Sequence, residues 1–168
     1  MAEASTKCKG IVIKSTQSGE NDAMLSVLSN ELGKISVSAK GIRSLHHKCR
    51  GGVTVLCYSN FVLKHIKENL YSLSQAELIE PFSNISKVMD LLCYSAYFCQ
   101  LCQMCVQPNL QADEEVRLLL NTLYVLSRYP KNALMIKTVF ELKLAEMCGI
   151  MPEFNSLCPC GGKAEYFS

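Results

Sequence analysis

Between residues 35 and 40 the chain alternates strictly: Ile35, Val37 and Ala39 are apolar, while Ser36, Ser38 and Lys40 are polar. A period of two sends successive side chains to opposite faces, so this is the clearest half-buried strand in the sequence. Segments of similar character surround it. Ile11-Val12-Ile13 is a short β-branched run, and Gly19-Glu20-Asn21-Asp22 supplies turn chemistry ahead of residues 24–28. Residues 53–64 and 70–79 read as two further strands, joined by a turn at Lys67-Glu68-Asn69. Helix competes for residues 22–32, because Met24, Leu25 and Leu28 also share a helical face. Five strands of modest length within about eighty residues predict a small closed or sandwiched sheet.

Pro81 marks a change of period. Beyond it Ile85, Val88, Met89, Leu92, Ala96 and Cys99 recur at steps of three and four, which predicts one broad buried helical face. Pro108-Asn109 closes that helix. Asp113-Glu114-Glu115 then places acids on a first helical turn, where the helix dipole favours them, and this helix runs to about Arg128. Tyr129-Pro130 breaks it, and residues 132–148 form a third helix ended by Gly149, with Pro152 shortly after. The predicted architecture is α+β: a five-stranded N-terminal barrel in residues 1–80, a helical domain in 81–151, and a short cysteine-containing segment in 152–168.

Composition alters this picture at two points. No run of eighteen apolar residues exists, which predicts no membrane-spanning helix, and the polar start carries no export signal. The expected compartment is therefore the cytoplasm, where the ten cysteines stay reduced. The net charge of +2 conceals a regional asymmetry. Residues 32–67 contain no Asp or Glu, yet hold Lys34, Lys40, Arg43, Lys48, Arg50, Lys64 and Lys67 with all three histidines, His46, His47 and His65. The rest of the chain, with ten basic and fifteen acidic residues, nets −5. One lobe should therefore attract polyanions.

The loop from Lys40 to Gly52 is the strongest functional signal. A nucleic-acid backbone is held by flexible cations, each able to neutralise a phosphate, with hydroxyl and amide donors between them. Lys40, Arg43, His46, His47, Lys48 and Arg50 fit that description. Tyr58, Phe61 and Tyr71 are candidates to stack bases, but core packing is the preferred reading of each. Cys99, Cys102 and Cys105 imitate the start of an iron–sulfur motif, but the fourth cysteine is missing and the triplet lies in a helical pattern, so they read as core. Cys158 and Cys160 sit in a turn-like segment beside Gly161-Gly162. They are spaced by one residue where a knuckle uses two, and a partial zinc site and two bystander thiols stay equally open. No catalytic triad, phosphate-cradling glycine motif or paired carboxylates can be assembled, so no enzyme is predicted.

The order of these features resembles the RecO family of bacterial DNA-repair proteins over nearly the whole chain. The stretches that carry the resemblance are residues 9–14, the Gly19–Asp22 turn, Leu32-Gly33-Lys34 leading to Ala39-Lys40-Gly41-Ile42-Arg43, and residues 70–80 with Gln75-Ala76-Glu77-Leu78. Phe140-Glu141-Leu142-Lys143-Leu144, Gly149-Ile150-Met151-Pro152 and Cys160-Gly161 complete it. The resemblance implies an oligonucleotide-binding (OB-fold) barrel, a helical domain and a small zinc-binding element. It also implies a non-enzymatic recombination mediator that binds single- and double-stranded DNA and anneals complementary strands. Such a mediator contacts single-strand-binding protein and acts with RecR to load RecA.

Carried over, the family's basic segment falls on Lys40, Arg43, Lys48 and Arg50. Two departures follow. Leu45, His46 and His47 occupy positions often basic in the family, which predicts a weaker, more pH-dependent hold on phosphate. Leu157 stands where the first cysteine of a CxxC pair would be, and no second pair follows, so the zinc element looks incomplete and the chain truncated. The rival expectation is a non-enzymatic scaffold whose helical lobe captures an acidic or amphipathic peptide; a metal enzyme built on Cys158, Cys160 and a histidine is a more distant one.

Overall fold

The computed structural model describes residues 5–44 and 47–151. Five strands, β1 (Ser5–Gln17), β2 (Ala23–Ser29), β3 (Gly33–Ala39), β4 (Tyr58–Lys67) and β5 (Leu70–Glu80), close into a barrel in the order β1-β2-β3-β5-β4. All neighbours run antiparallel except β3 and β5, which are parallel. Three helices follow, α1 (Met89–Cys105), α2 (Asp113–Arg128) and α3 (Ala133–Met147). This is the OB-fold barrel and helical lobe that the sequence predicts. Among the described residues no helix is long and apolar enough to cross a membrane.

The helix that competed for residues 22–32 does not form. Leu25 faces Val37 and Val27 faces Ile35 across the β2–β3 ladder, so a period of two buries all four in the barrel. β1 is longer than Ile11-Val12-Ile13 because it pairs with β2 on one edge and β4 on the other. The three apolar residues are nevertheless its centre. Val12 points into the barrel core, whereas Ile11 and Ile13 join a second core shared with Phe98, Leu119, Leu123 and Phe140 of the helices. A strand covered on both faces carries a continuous apolar run.

The expected strand 53–64 begins only at Tyr58. Arg50–Val53 is a turn of 3-10 helix instead, and Leu56 takes a positive φ of 67° where the chain crosses β1. There the Leu56 N–H donates to Val12 O at 2.8 Å, and the Val12 N–H donates to Cys57 O at 3.0 Å. The predicted face of α1 also needs correction. Val88, Met89 and Ala96 are exposed, and the buried stripe is Leu91, Ser95, Phe98 and Cys102, joined by Cys99. That helix is apolar on most sides, so periodicity alone could not select the buried face. Phe98 meets Phe140 of α3 with ring centroids 4.6 Å apart.

Barrel and helices are joined through the β2–β3 turn. Every polar group of Asn30 is engaged: its N–H donates to Lys9 O, its carbonyl accepts from the Ala112 N–H, its amide donates to Asp113 at 2.9 Å, and its Oδ1 accepts from the Tyr58 hydroxyl at 3.1 Å. An Asn30→Ala variant removes the last two bonds and leaves Tyr58 without its acceptor. It should lower unfolding free energy by about 1–2 kcal/mol, read as a lower urea midpoint with an unchanged slope.

Candidate nucleic-acid interface

The register of the barrel assembles a polar outer face that no single stretch of sequence displays. Residues directly opposite on neighbouring strands share a face. One row therefore runs Lys14, Ser26, Ser36, Leu70, Lys67, and the next runs Thr16, Met24, Ser38, Ser72, Lys64. Four serine hydroxyls lie between β1, which carries Lys14 and Thr16, and the two lysines of β4. The serines are half-buried and the three lysines are exposed. Lys40, two residues beyond Ser38, continues the same face towards the basic loop.

The described residues of the loop after β3 pack into the barrel as a plug. Ile42, Cys49 and Val53 are buried in the barrel core. Successive turns hold the backbone: the Ser44 N–H donates to Gly41 O, His47 to Ser44 O, Arg50 to His47 O and Gly52 to Cys49 O, at 3.1–3.2 Å. The Gly41 N–H donates to the Asp22 carboxylate at 2.7 Å and the Arg43 N–H to Asn21 O at 3.0 Å, fastening the plug to the β1–β2 turn. The buried Ser59 hydroxyl donates to Gly52 O at 2.7 Å. These anchors fix the backbone while Arg43, Lys48 and Arg50 stay exposed. Among the described residues no carboxylate pairs with any of the three.

Arg43 and Arg50 line one open groove of about 510 Å³ with Ser15, Gln17 and Thr54. Its floor is apolar, from Leu25, Ile42 and Val53. On the other side of the plug, His47 and Lys48 line a second groove of about 600 Å³ with Ser74, Gln75 and Glu77 of β5. The His47 Nδ1 accepts the Cys49 N–H at 3.2 Å. Each groove pairs cations with hydroxyl or amide donors, the combination a phosphodiester backbone needs.

Other expected residues lie elsewhere. Lys34 stands about 20 Å along β3 from Lys40, and its ammonium donates to Gln103 O of α1 at 3.1 Å, so it fastens the helical lobe. Phe61 and Tyr71 are 1% and 6% exposed and fill the barrel; neither offers a ring to a base. Tyr71 packs against His65 edge to face, centroids 5.3 Å apart. Tyr58 is spent on Asn30, and burial with the Glu31 and Asp113 carboxylates raises its phenol above the ordinary range. The three are packing residues, and their candidacy as stacking platforms is corrected. The exposed tyrosines among the described residues, Tyr124 and Tyr129, belong to the helical lobe. Cys99 and Cys102 are core residues, as expected; burial pushes the Cys99 thiol up to about 12. His46, Cys158 and Cys160 lie outside the described residues. Among the described residues no cluster of three or more His, Cys, Asp or Glu could hold a metal ion.

Comparison with known proteins agrees with this architecture on both sides of Pro81. The family model described as Recombination protein O N terminal matches residues 1–82, and the one described as Recombination protein O C terminal matches residues 87–168. The chain belongs to the RecO family. It is 35% identical to the DNA repair protein RecO of Acetivibrio thermocellus over 165 residues, covering 96% of this chain and 65% of that protein. It is 34% identical to the RecO of Caldicellulosiruptor saccharolyticus (92% and 62% covered) and 32% identical to that of Dehalococcoides mccartyi (96% and 65%). The chain thus spans a little under two thirds of the length of these RecO proteins. Within this RecO barrel, sequence reasoning missed Lys14, Ser26, Ser36, Ser38 and Ser72 as members of the polar face. The alternation of residues 35–40 held the signal, since the polar half of a barrel strand is also a surface.

Proposed function

We propose that this chain acts as a non-enzymatic DNA-binding recombination mediator. It holds single- and double-stranded DNA, anneals complementary strands, and works with RecR to place RecA on DNA coated by single-strand-binding protein. The observation that carries this reading is the lysine-flanked hydroxyl face of the barrel, continuous through Lys40 with the plug that presents Arg43, Lys48 and Arg50. Phosphates are neutralised one by one along it, and serine hydroxyls accept or donate between the cations. With the barrel aromatics buried, affinity comes from the backbone of the nucleic acid rather than from base stacking, so little sequence preference is expected. Grooves on both sides of the plug let two strands approach the same cationic element, which lowers the repulsion between them.

The helical lobe supplies the surface for protein partners: Leu134, Met135 and Val139 of α3 are 69%, 63% and 47% exposed, an apolar stripe that a helix in water does not favour.

Fluorescence anisotropy with a labelled single-stranded oligonucleotide tests the reading. Affinity should fall steeply between 50 and 200 mM salt, with a logarithmic slope of roughly −0.7 for each phosphate contacted. Complementary oligonucleotides should anneal faster with the protein present and emerge chemically intact. Salt-indifferent binding, or no acceleration of annealing, would leave a protein scaffold as the better description.

A further inference from the structure

The last residue of α1 is Cys105, and the residue that caps α3 is Cys148. The two line one cavity of about 300 Å³, walled by Tyr97, Leu101, Leu144 and Ile150, with the Cys148 side chain beside that of Cys105. Both are free thiols, Cys148 exposed and Cys105 half-buried. Neither belongs to the barrel interface. The cavity holds one carboxylate, Glu141, which is already taken by the Tyr97 hydroxyl and by the Lys137 ammonium at 2.9 Å. Among the described residues the cavity offers the two sulfurs no histidine and no uncommitted carboxylate, and the chemistry they share is with each other.

We infer that Cys105 and Cys148 form an oxidant-sensitive thiol pair that closes to an intramolecular disulfide under hydrogen peroxide, stapling α1 to α3. The solvent-open Cys148 sulfur attacks one peroxide oxygen and breaks the O–O bond; Cys148 becomes a sulfenic acid and one water departs. The Cys105 sulfur then attacks the Cys148 sulfur. The S–S bond forms, the S–O bond breaks, and the Cys105 proton leaves with the hydroxyl as a second water. The two thiols give up two electrons, and one peroxide is reduced to two waters.

The order of events follows from environment. Burial, reinforced by the neighbouring Cys148, pushes the Cys105 thiol up to about 11, so the proton stays on that sulfur until its partner is activated. Closure would tie the end of α1, from which residues 107–109 pass to the β2–β3 turn, to the end of α3. The oxidised protein should therefore melt at a higher temperature, while nucleic-acid affinity, set on the barrel, stays unchanged.

Peptide mapping of the full chain tests this. The protein is treated with hydrogen peroxide, alkylated, digested and analysed by mass spectrometry. A Cys105–Cys148 cross-linked peptide should appear, vanish on reduction with dithiothreitol, be absent from Cys105→Ser and Cys148→Ser, and persist in Cys93→Ser, which alters an exposed thiol on the same helix. Over-oxidation of Cys148 with Cys105 left alkylatable, or cross-links that join other cysteines in preference, would overturn the inference. The wild-type map decides it even if a serine variant fails to fold.

Discussion

Gly33→Ala should unfold the molecule at a much lower denaturant concentration than the wild type, losing roughly 3 kcal/mol or more. Gly33 opens β3 with φ +65°, a left-handed conformation that costs a side-chain-bearing residue about 1–2 kcal/mol. A Cβ built there would lie 2.2 Å from Gln107 O and 2.5 Å from Leu110 O. Both oxygens are backbone, so no rotamer change relieves the clash. The segment that carries them is held in place, since the Lys34 N–H donates to Gln107 O at 3.3 Å and the Asn109 N–H donates to Leu32 O at 3.1 Å. The barrel and the helical lobe would have to separate at the point where Asn30, Lys34 and Gly33 join them. Gly19→Ala is the control. Its φ of +101° imposes backbone strain, but nothing lies within 4 Å of the added carbon, and the loss should be only about 1–2 kcal/mol. Urea titration followed by circular dichroism measures both, as the chain has no tryptophan.

The second large effect concerns binding. Replacing Arg43 and Arg50 together by alanine should weaken single-stranded DNA binding by about one to two orders of magnitude at low salt, with thermal stability nearly unchanged. The two guanidinium groups share one groove, and among the described residues neither is paired with a carboxylate, so their removal leaves no buried charge behind. The plug should survive, because its anchors are the backbone turns and the buried Ile42, Cys49 and Val53 rather than the arginines. Annealing should slow in parallel.

The architecture was legible because two periods are written plainly in the chain: two in residues 35–40, and three to four beyond Pro81. Ile11-Val12-Ile13 also announced a strand, though its burial on both faces depends on helices that lie more than seventy residues away. What the sequence could not reveal was pairing across strands. Lys14 and Lys67 are distant in sequence and become opposite ends of one row only through the β1-β2-β3-β5-β4 register. The acid-free block of residues 32–67 marks the lobe that carries the polar face, but not every one of its cations lies on that face. Lys34 carries the same charge as Lys40, yet the strand between them delivers it to the Gln103 carbonyl. Phe61 and Tyr71 occupy inward positions of their strands, which is the core packing preferred for them over base stacking. The plug between Lys40 and Gly52 looked like a loop because its order comes from single-turn hydrogen bonds and three buried side chains, neither of which produces a period.

The most direct test of the polyanion-binding surface is the salt dependence of oligonucleotide affinity in three proteins: wild type, Arg43→Ala/Arg50→Ala, and Lys34→Ala. If the plug and the hydroxyl face hold phosphates, the logarithmic slope of the double variant should be shallower than that of the wild type by about 1.4, while Lys34→Ala keeps the wild-type slope. Equal slopes for wild type and double variant, or a flattened slope in Lys34→Ala alone, would contradict the account and place the nucleic acid elsewhere on the molecule.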